Sequence, residues 1–392
     1  MNKRTPLTLI FITVFIDLLG FGILIPILPT FATKELGVDE SAVGFAIAIY
    51  SLTQFFFNPV FGKLSDKYGR RPVIIFSLLL NSLGYLIFAF TTQYWMLIVA
   101  RIIAGTGGSS IGVAQAYIAD VTTKEERSRG MGLIGAAFGL GFVFGPFIGG
   151  ILSEFGYMIT GFGSASFSFL AFIFTLILLP ESNLNRGQKP SHRTLLNIEA
   201  LRKISSQKDL SLLIFLFFIL TFSIANIYGT FALLGHQVYG FSELQNGYIY
   251  SILGISSSLM QGGILNLLLK FIPRRLLILF GSLLMMFGLA LLPYGGTFWG
   301  LAVIIVLLSF GTGSLQPILL SLVSEVTHDS DQGMVLGINQ SASAMARVLG
   351  PLWGGFAFEF LGYPFPFLTG ALFTSVIFFT SIFYLPKKVN IE

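Results

Sequence analysis

Twelve times along this 392-residue chain the sequence runs apolar for about the 20 residues that a helix needs to cross a bilayer. The runs fall near 7–29, 42–61, 73–91, 94–116, 131–152 and 161–180, and again near 211–234, 246–269, 276–293, 298–322, 335–357 and 365–385. Inside hydrocarbon each backbone N–H and C=O must be satisfied within its own segment, so every run is expected as an α-helix. A polar stretch from Glu181 to Asp209 separates the two sets of six. The predicted fold class is an all-α membrane protein with 12 transmembrane helices in two halves, 1–180 and 211–392. The linker between them, 181–210, carries one short helical pattern near 197–205 and reads as a cytoplasmic tether.

Composition excludes most alternatives. Hydrophobic residues make up 54% of the chain and charged residues 10%, against about 25% charged in a soluble domain. Only lipid covers so much apolar surface. Without a cysteine, the chain has no disulfide, thiolate nucleophile, iron–sulfur cluster or Cys-ligated zinc. His192, His236 and His328 are scattered without metal-ligand spacing, so no metal and no cofactor is expected. Neither a nucleophile–base set nor a Walker-type phosphate loop is present, which argues against an enzyme and against ATP as the energy source. The first run follows Lys3 and Arg4 as a signal peptide would. It is too long for one, holds Asp17, and reaches Pro26 and Pro29 without a small-residue cleavage site.

The net charge of +5 reports topology. With the N-terminus inside and the spans alternating, every Lys and Arg falls on the inner side except Lys34, Arg101 and Arg347. Lys34 lies outside, and the other two lie within spans. This is the positive-inside pattern of an even number of spans with both termini cytoplasmic, and nucleic-acid binding is an unnecessary inference. The halves also repeat. At an offset of 205 residues Gly108 matches Gly313, Asp120 matches Glu325 and Gly132 matches Gly337. The same offset pairs Gly145–Pro146 with Gly350–Pro351 and Gly149–Gly150 with Gly354–Gly355. Parallel six-helix repeats related by an axis along the membrane normal are a transporter architecture.

The loop after the second span reads Gly62-Lys-Leu-Ser-Asp66-Lys-Tyr-Gly69-Arg70-Arg71-Pro72. It is similar to the signature loop of the major facilitator superfamily, G-x-L-x-D-x-x-G-R-[RK]. The first span carries Asp17, Gly20, Gly22, Pro26 and Pro29, and the fourth opens at Arg101 and closes at Asp120. The fifth holds Gly141, Gly145–Pro146 and Gly149–Gly150, which resembles the motif of the proton-coupled antiporters. Across essentially its whole length the chain resembles the twelve-span drug:proton antiporters, closest to the tetracycline-efflux-like branch. The resemblance implies a monomer in the cell membrane, powered by the proton gradient and carrying a small lipophilic substrate. It also implies an acid followed by an aromatic in the third span, where this chain has Gly84–Tyr85.

Each motif also has a reading in its own residues. Asp17 lies about 15 Å into its span at 1.5 Å per residue, where an acid needs a partner or water. With Arg101 it is the expected proton-coupling pair, and a static buried ion pair is the bland alternative. Asp66 is expected as a latch near the inner end of the eleventh span, about Gln332–Gly333, while Arg70 or Arg71 pairs with Asp120. Gly62 and Gly69 permit the tight reversal, and a topology anchor is the bland alternative here. Gly145, Pro146, Gly350 and Pro351 are expected helix bends, with simple close packing as the alternative. Gln54, Gln316, Asn339 and Arg347 are expected to line the substrate cavity; Arg347 reads equally as a packing donor. One embedded carboxylate and two embedded arginines suit neutral, weakly cationic or anionic amphiphiles. The reading is thus a secondary transporter, proton-coupled and exporting lipophilic molecules by alternating access. The alternatives are a lipid or lysolipid transporter and a small-solute uptake carrier.

Overall fold

The computed structural model describes residues 4–183, 206–327 and 332–384; most of the linker and its expected helix near 197–205 lie outside them. The first half contains α1 (Arg4–Lys34), α2 (Glu40–Tyr68), α3 (Arg70–Ala89), α4 (Tyr94–Gly107), α5 (Ser110–Val121), α6 (Lys124–Ser153) and α7 (Tyr157–Leu178). The second contains α8 (Lys208–Leu233), α9 (Glu243–Leu259), α10 (Arg274–Leu291), α11 (Phe298–Glu325), α12 (Gln332–Phe356) and α13 (Phe365–Phe383). No strand occurs among the described residues.

Eleven spans among the described residues are long and apolar enough to cross a membrane. The other predicted span is α12, 25 residues long but diluted by Asn339, Gln340, Ser341, Ser343 and Arg347. Each of the 12 apolar runs therefore has its helical segment. The fourth run differs from a single rod. It breaks at Gly108–Ser109 and resumes as α5, which continues to Val121, beyond the apolar stretch. The α9 helix passes through a π turn at Met260–Ile264 before its last turn, Leu265–Leu268. Large apolar side chains within the spans point outward where lipid replaces water, with Leu372 at 65% exposure and Val303 at 61%.

Contacts divide the chain into two compact units. One comprises residues 1–38, 49–195 and 242–251, the other 39–48, 196–241 and 252–392. In the first, α1 packs along α6 and α7, and α3 packs along α4 and α7. In the second, α8 packs along α12 and α13, and α10 along α11 and α13. These pairings repeat helix for helix, as the internal sequence match requires.

Both units include a short segment from the other sequence half, and glycine explains why. A Cβ on Gly247 of α9 would stand 2.6 Å from the Pro146 carbonyl oxygen. One on Gly44 of α2 would stand 2.3 Å from the Pro351 carbonyl oxygen. Gly355 likewise meets the Glu40 carbonyl, at 2.4 Å from a built Cβ. The repeated Gly–Pro pairs of α6 and α12 are thus seats for a third helix backbone. Both helices run unbroken through their prolines. In lipid, close backbone approach of this kind supplies the van der Waals contact that hydrophobic burial cannot. Polar contacts sit beside these seats. Glu243 accepts from Lys34 at 2.7 Å and from the Tyr157 hydroxyl at 2.8 Å, and Ser41 N–H donates to Glu359 at 3.0 Å.

Gly44→Val and Gly247→Val are each expected to destabilise the purified protein by about 1–3 kcal/mol through overpacking. Gly132→Ala and Gly337→Ala, which have open space at the Cβ position, should leave stability unchanged. Thermal denaturation in detergent measures both, and equal effects in the two pairs would contradict the assignment of the seats.

Candidate functional site

Asp17 is buried at 7% exposure in the middle of α1. The Asn81 Nδ2 on α3 donates to both carboxylate oxygens, at 3.0 and 2.9 Å, and the Ser168 Oγ on α7 donates at 2.7 Å. Gly20, nearly one turn along α1, lets α7 come this close: its Cβ would lie 2.8 Å from the Ser164 carbonyl and 3.0 Å from Ser168 Oγ. On the opposite side α6 meets α1 through Gly141, Gly145 and Gly149. The resulting pocket holds an acid with three hydrogen bonds from neutral donors. Such a group is costly in hydrocarbon as an anion and cheap as a neutral acid, which suits it to bind and release a proton.

Arg101, paired with Asp17 in the sequence reading, lies at 6% exposure with its guanidinium over the Tyr50 ring, 4.4 Å from the centroid. Asp17 and Arg101 both act electrostatically on Tyr85, whose hydroxyl is buried and finds no hydrogen-bond partner among the described residues. The arginine thus borders the acid's pocket while the acid takes its hydrogen bonds from Asn81 and Ser168. Beside them runs the break between α4 and α5. Gln54, an expected cavity residue, donates to the carbonyl of Gly108 at 2.8 Å and so satisfies backbone that the break releases. Gly84 fills a helix crossing, since its Cβ would lie 2.7 Å from Ala104 N and 2.9 Å from the Ala100 carbonyl. No acid fits at that position.

The signature loop forms a charge cluster. The Arg70 guanidinium reaches Asp120 at 2.9 Å, Ser65 Oγ at 2.7 Å and Asp66 one turn before it. Gly69 turns the chain with φ 107°, a left-handed conformation that favours glycine. Glu181, just past α7, then caps the first turn of α3: its carboxylate accepts from Arg70 N–H at 2.8 Å and Arg71 N–H at 3.2 Å. An anion at a helix N-terminus meets unpaired N–H groups and the positive end of the dipole. The start of the linker is fastened to the same place, because Ser182 Oγ donates to Asp120 and Asn183 Nδ2 to the Asp66 carbonyl. Gly62 contributes its carbonyl to Ser65 Oγ at 2.8 Å.

The second half repeats the arginines. Arg274 pairs with Glu325 at 2.6 Å as Arg70 pairs with Asp120. Arg275 donates to the Ser381 carbonyl at the end of α13 as Arg71 donates to the Leu176 carbonyl at the end of α7. Of the other expected residues in this half, Gln316 is exposed on α11, Arg347 is half-buried, and Tyr228 lies within the electrostatic reach of Arg347. Asn339 is buried at 1% exposure. Gly350 rests on α8, where its Cβ would stand 2.9 Å from the Phe222 carbonyl. Sequence reasoning assigned no role to Ser168, Glu181, Gly44, Gly247 or the break at Gly108–Ser109.

The major facilitator superfamily model matches residues 10–292 and 263–390. A class H tetracycline resistance protein of Pasteurella multocida is 30% identical over 99% of this chain and 98% of its own length. Multidrug resistance protein 1 of Bacillus subtilis is 28% identical over 95% of this chain and 94% of its own. A crystal structure of a human organic anion transporter superposes with a TM-score of 0.72 at 25% identity, covering 97% of this chain and all of that one. Twelve helical spans, two repeated halves, the Gly62–Arg71 loop and these matches together show that the chain is a multi-pass membrane transporter belonging to the major facilitator superfamily.

Proposed function

We propose that this transporter is a proton-coupled exporter of lipophilic small molecules that works by alternating access, with both termini in the cytoplasm. The observation that carries the reading is Asp17, buried mid-span and held by the neutral donors Asn81 and Ser168. Protonation removes the charge and its desolvation cost, so the occupancy of this one site biases the packing around α1. The relatives named for tetracycline and multidrug resistance support drug-like cargo. Gly84, packed against α4 where the tetracycline-efflux branch is expected to carry an acid, favours amphiphiles that need no carboxylate there. The Asp66–Arg70–Asp120 cluster, capped by Glu181, acts in this scheme as the inner latch. A monomer suffices, because each unit contains its own core.

In proteoliposomes under an imposed pH gradient, a panel of lipophilic dyes and lysolipids is expected to yield compounds whose movement draws on the gradient. Asp17→Asn should abolish that coupling while compound binding survives. Movement that ignores both the gradient and Asp17 would identify a facilitator or a lipid transporter instead. Asp66→Asn and Glu181→Gln are expected to slow turnover about 10- to 150-fold, with binding again intact; unchanged turnover in both would remove the latch from the mechanism. The expected size follows from loss of one charge-assisted hydrogen bond, about 1.5–3 kcal/mol if it forms in only one state.

A further inference from the structure

Asn81 stands between the proton site and the broken helix. Its Nδ2 is spent on the two oxygens of Asp17. Its Oδ1 is buried and finds no hydrogen-bond partner among the described residues. That oxygen lies 2.4 Å from where a Cβ of Gly107 would be, directly against the end of α4. One short amide therefore stands against both the acid and Gly107, the last residue of α4 before the span comes apart.

As it stands, the arrangement suits the ionised acid. An ionised carboxylate is a pure acceptor, and an amide N–H₂ straddling its two oxygens is the right partner. Once Asp17 takes a proton from water, one of its oxygens becomes an O–H donor. The Ser168 hydroxyl at 2.7 Å can turn to accept it, but the buried Oδ1 of Asn81 is the acceptor that gains a bond it lacks. Turning the terminal torsion, which is broad and soft for Asn, gives a cyclic acid–amide pair. The acid O–H donates to Oδ1, and Nδ2 donates to the remaining acid oxygen. In that pose Oδ1 has left Gly107. The other groups facing Asp17 keep their places: Ser164 and Ser168 on α7, Tyr85 on α3, and Arg101 on α4 over Tyr50 of α2. From α6, Gly141 and Gly145 pack on Leu18 and Gly22.

We propose that Asn81 is a positioning residue that reads the protonation state of Asp17 by turning its side-chain amide and passes the change to the break between α4 and α5. This rests on Asp17 being the proton carrier. Infrared difference spectra between neutral and acid pH, taken on the full protein in lipid vesicles with ¹³C-labelled asparagine, test it. The expected result is a new protonated-carboxyl band together with a shifted asparagine carbonyl band. Both should vanish in Asp17→Asn, and the asparagine shift alone should vanish in Asn81→Leu. Where Asn81→Leu fails to fold, the wild type and Asp17→Asn decide the matter unaided. A carboxyl band with an unmoved asparagine band overturns the inference and leaves the proton site standing. Absence of the carboxyl band overturns the proton site and this inference together.

Discussion

A carboxylate inside a lipid-embedded bundle must be neutralised or surrounded by donors, and the first half of this transporter is arranged around that demand. Asp17 takes donors from α3 and α7, which requires both helices to approach α1 closely. Gly20 makes the approach possible on one side, and Gly141 and Gly145 do so on the other. The acid is thus the point on which three helix contacts converge. A side chain added at Gly20 would press on the Ser168 hydroxyl, and one at Gly141 or Gly145 would push α1 away from α6.

The repeated halves separate what holds the fold from what operates it. Both contain an arginine that pairs with an acid at the end of the fourth or tenth span, and both contain a second arginine that caps the last helix of the half. The second arginines satisfy helix C-terminal carbonyls, a need both halves share. The first half alone, among the described residues, adds Asp66 to the cluster and Glu181 over the first turn of α3. Asp17 and Asn81 also belong to it. The chemistry is lopsided on a symmetrical frame.

Much of this was legible in the sequence, for identifiable reasons. Lipid makes long apolar runs obligatory, so the spans could be counted, and it makes charge conspicuous, so Asp17, Arg101 and Arg347 stood out at once. The Arg70–Asp120 pair was legible because a charged loop between apolar runs has few partners to choose from, whereas Asp66, expected near the eleventh span, takes Arg70 one turn along. The partners of Asp17 were not. Arg101 was the obvious electrostatic choice, yet a helix presents only one face to its neighbour, and the faces of α3 and α7 brought Asn81 and Ser168 instead. Glu181 escaped notice because nothing in a linear reading brings the end of the sixth span back to Gly69. The break at Gly108–Ser109 was hidden among 44 glycines, most of which leave their helices intact.

That break has a mechanical meaning. Gly313, the repeat partner of Gly108, lies inside α11, which runs without interruption from Phe298 to Glu325. The same ancestral rod is jointed in one half and stiff in the other. When load passes through the two halves, a jointed rod yields at its joint while a stiff one tilts whole. In the proposed cycle the fourth span would therefore bend at this joint, on the run of helix that carries Arg101, while the tenth tilts whole.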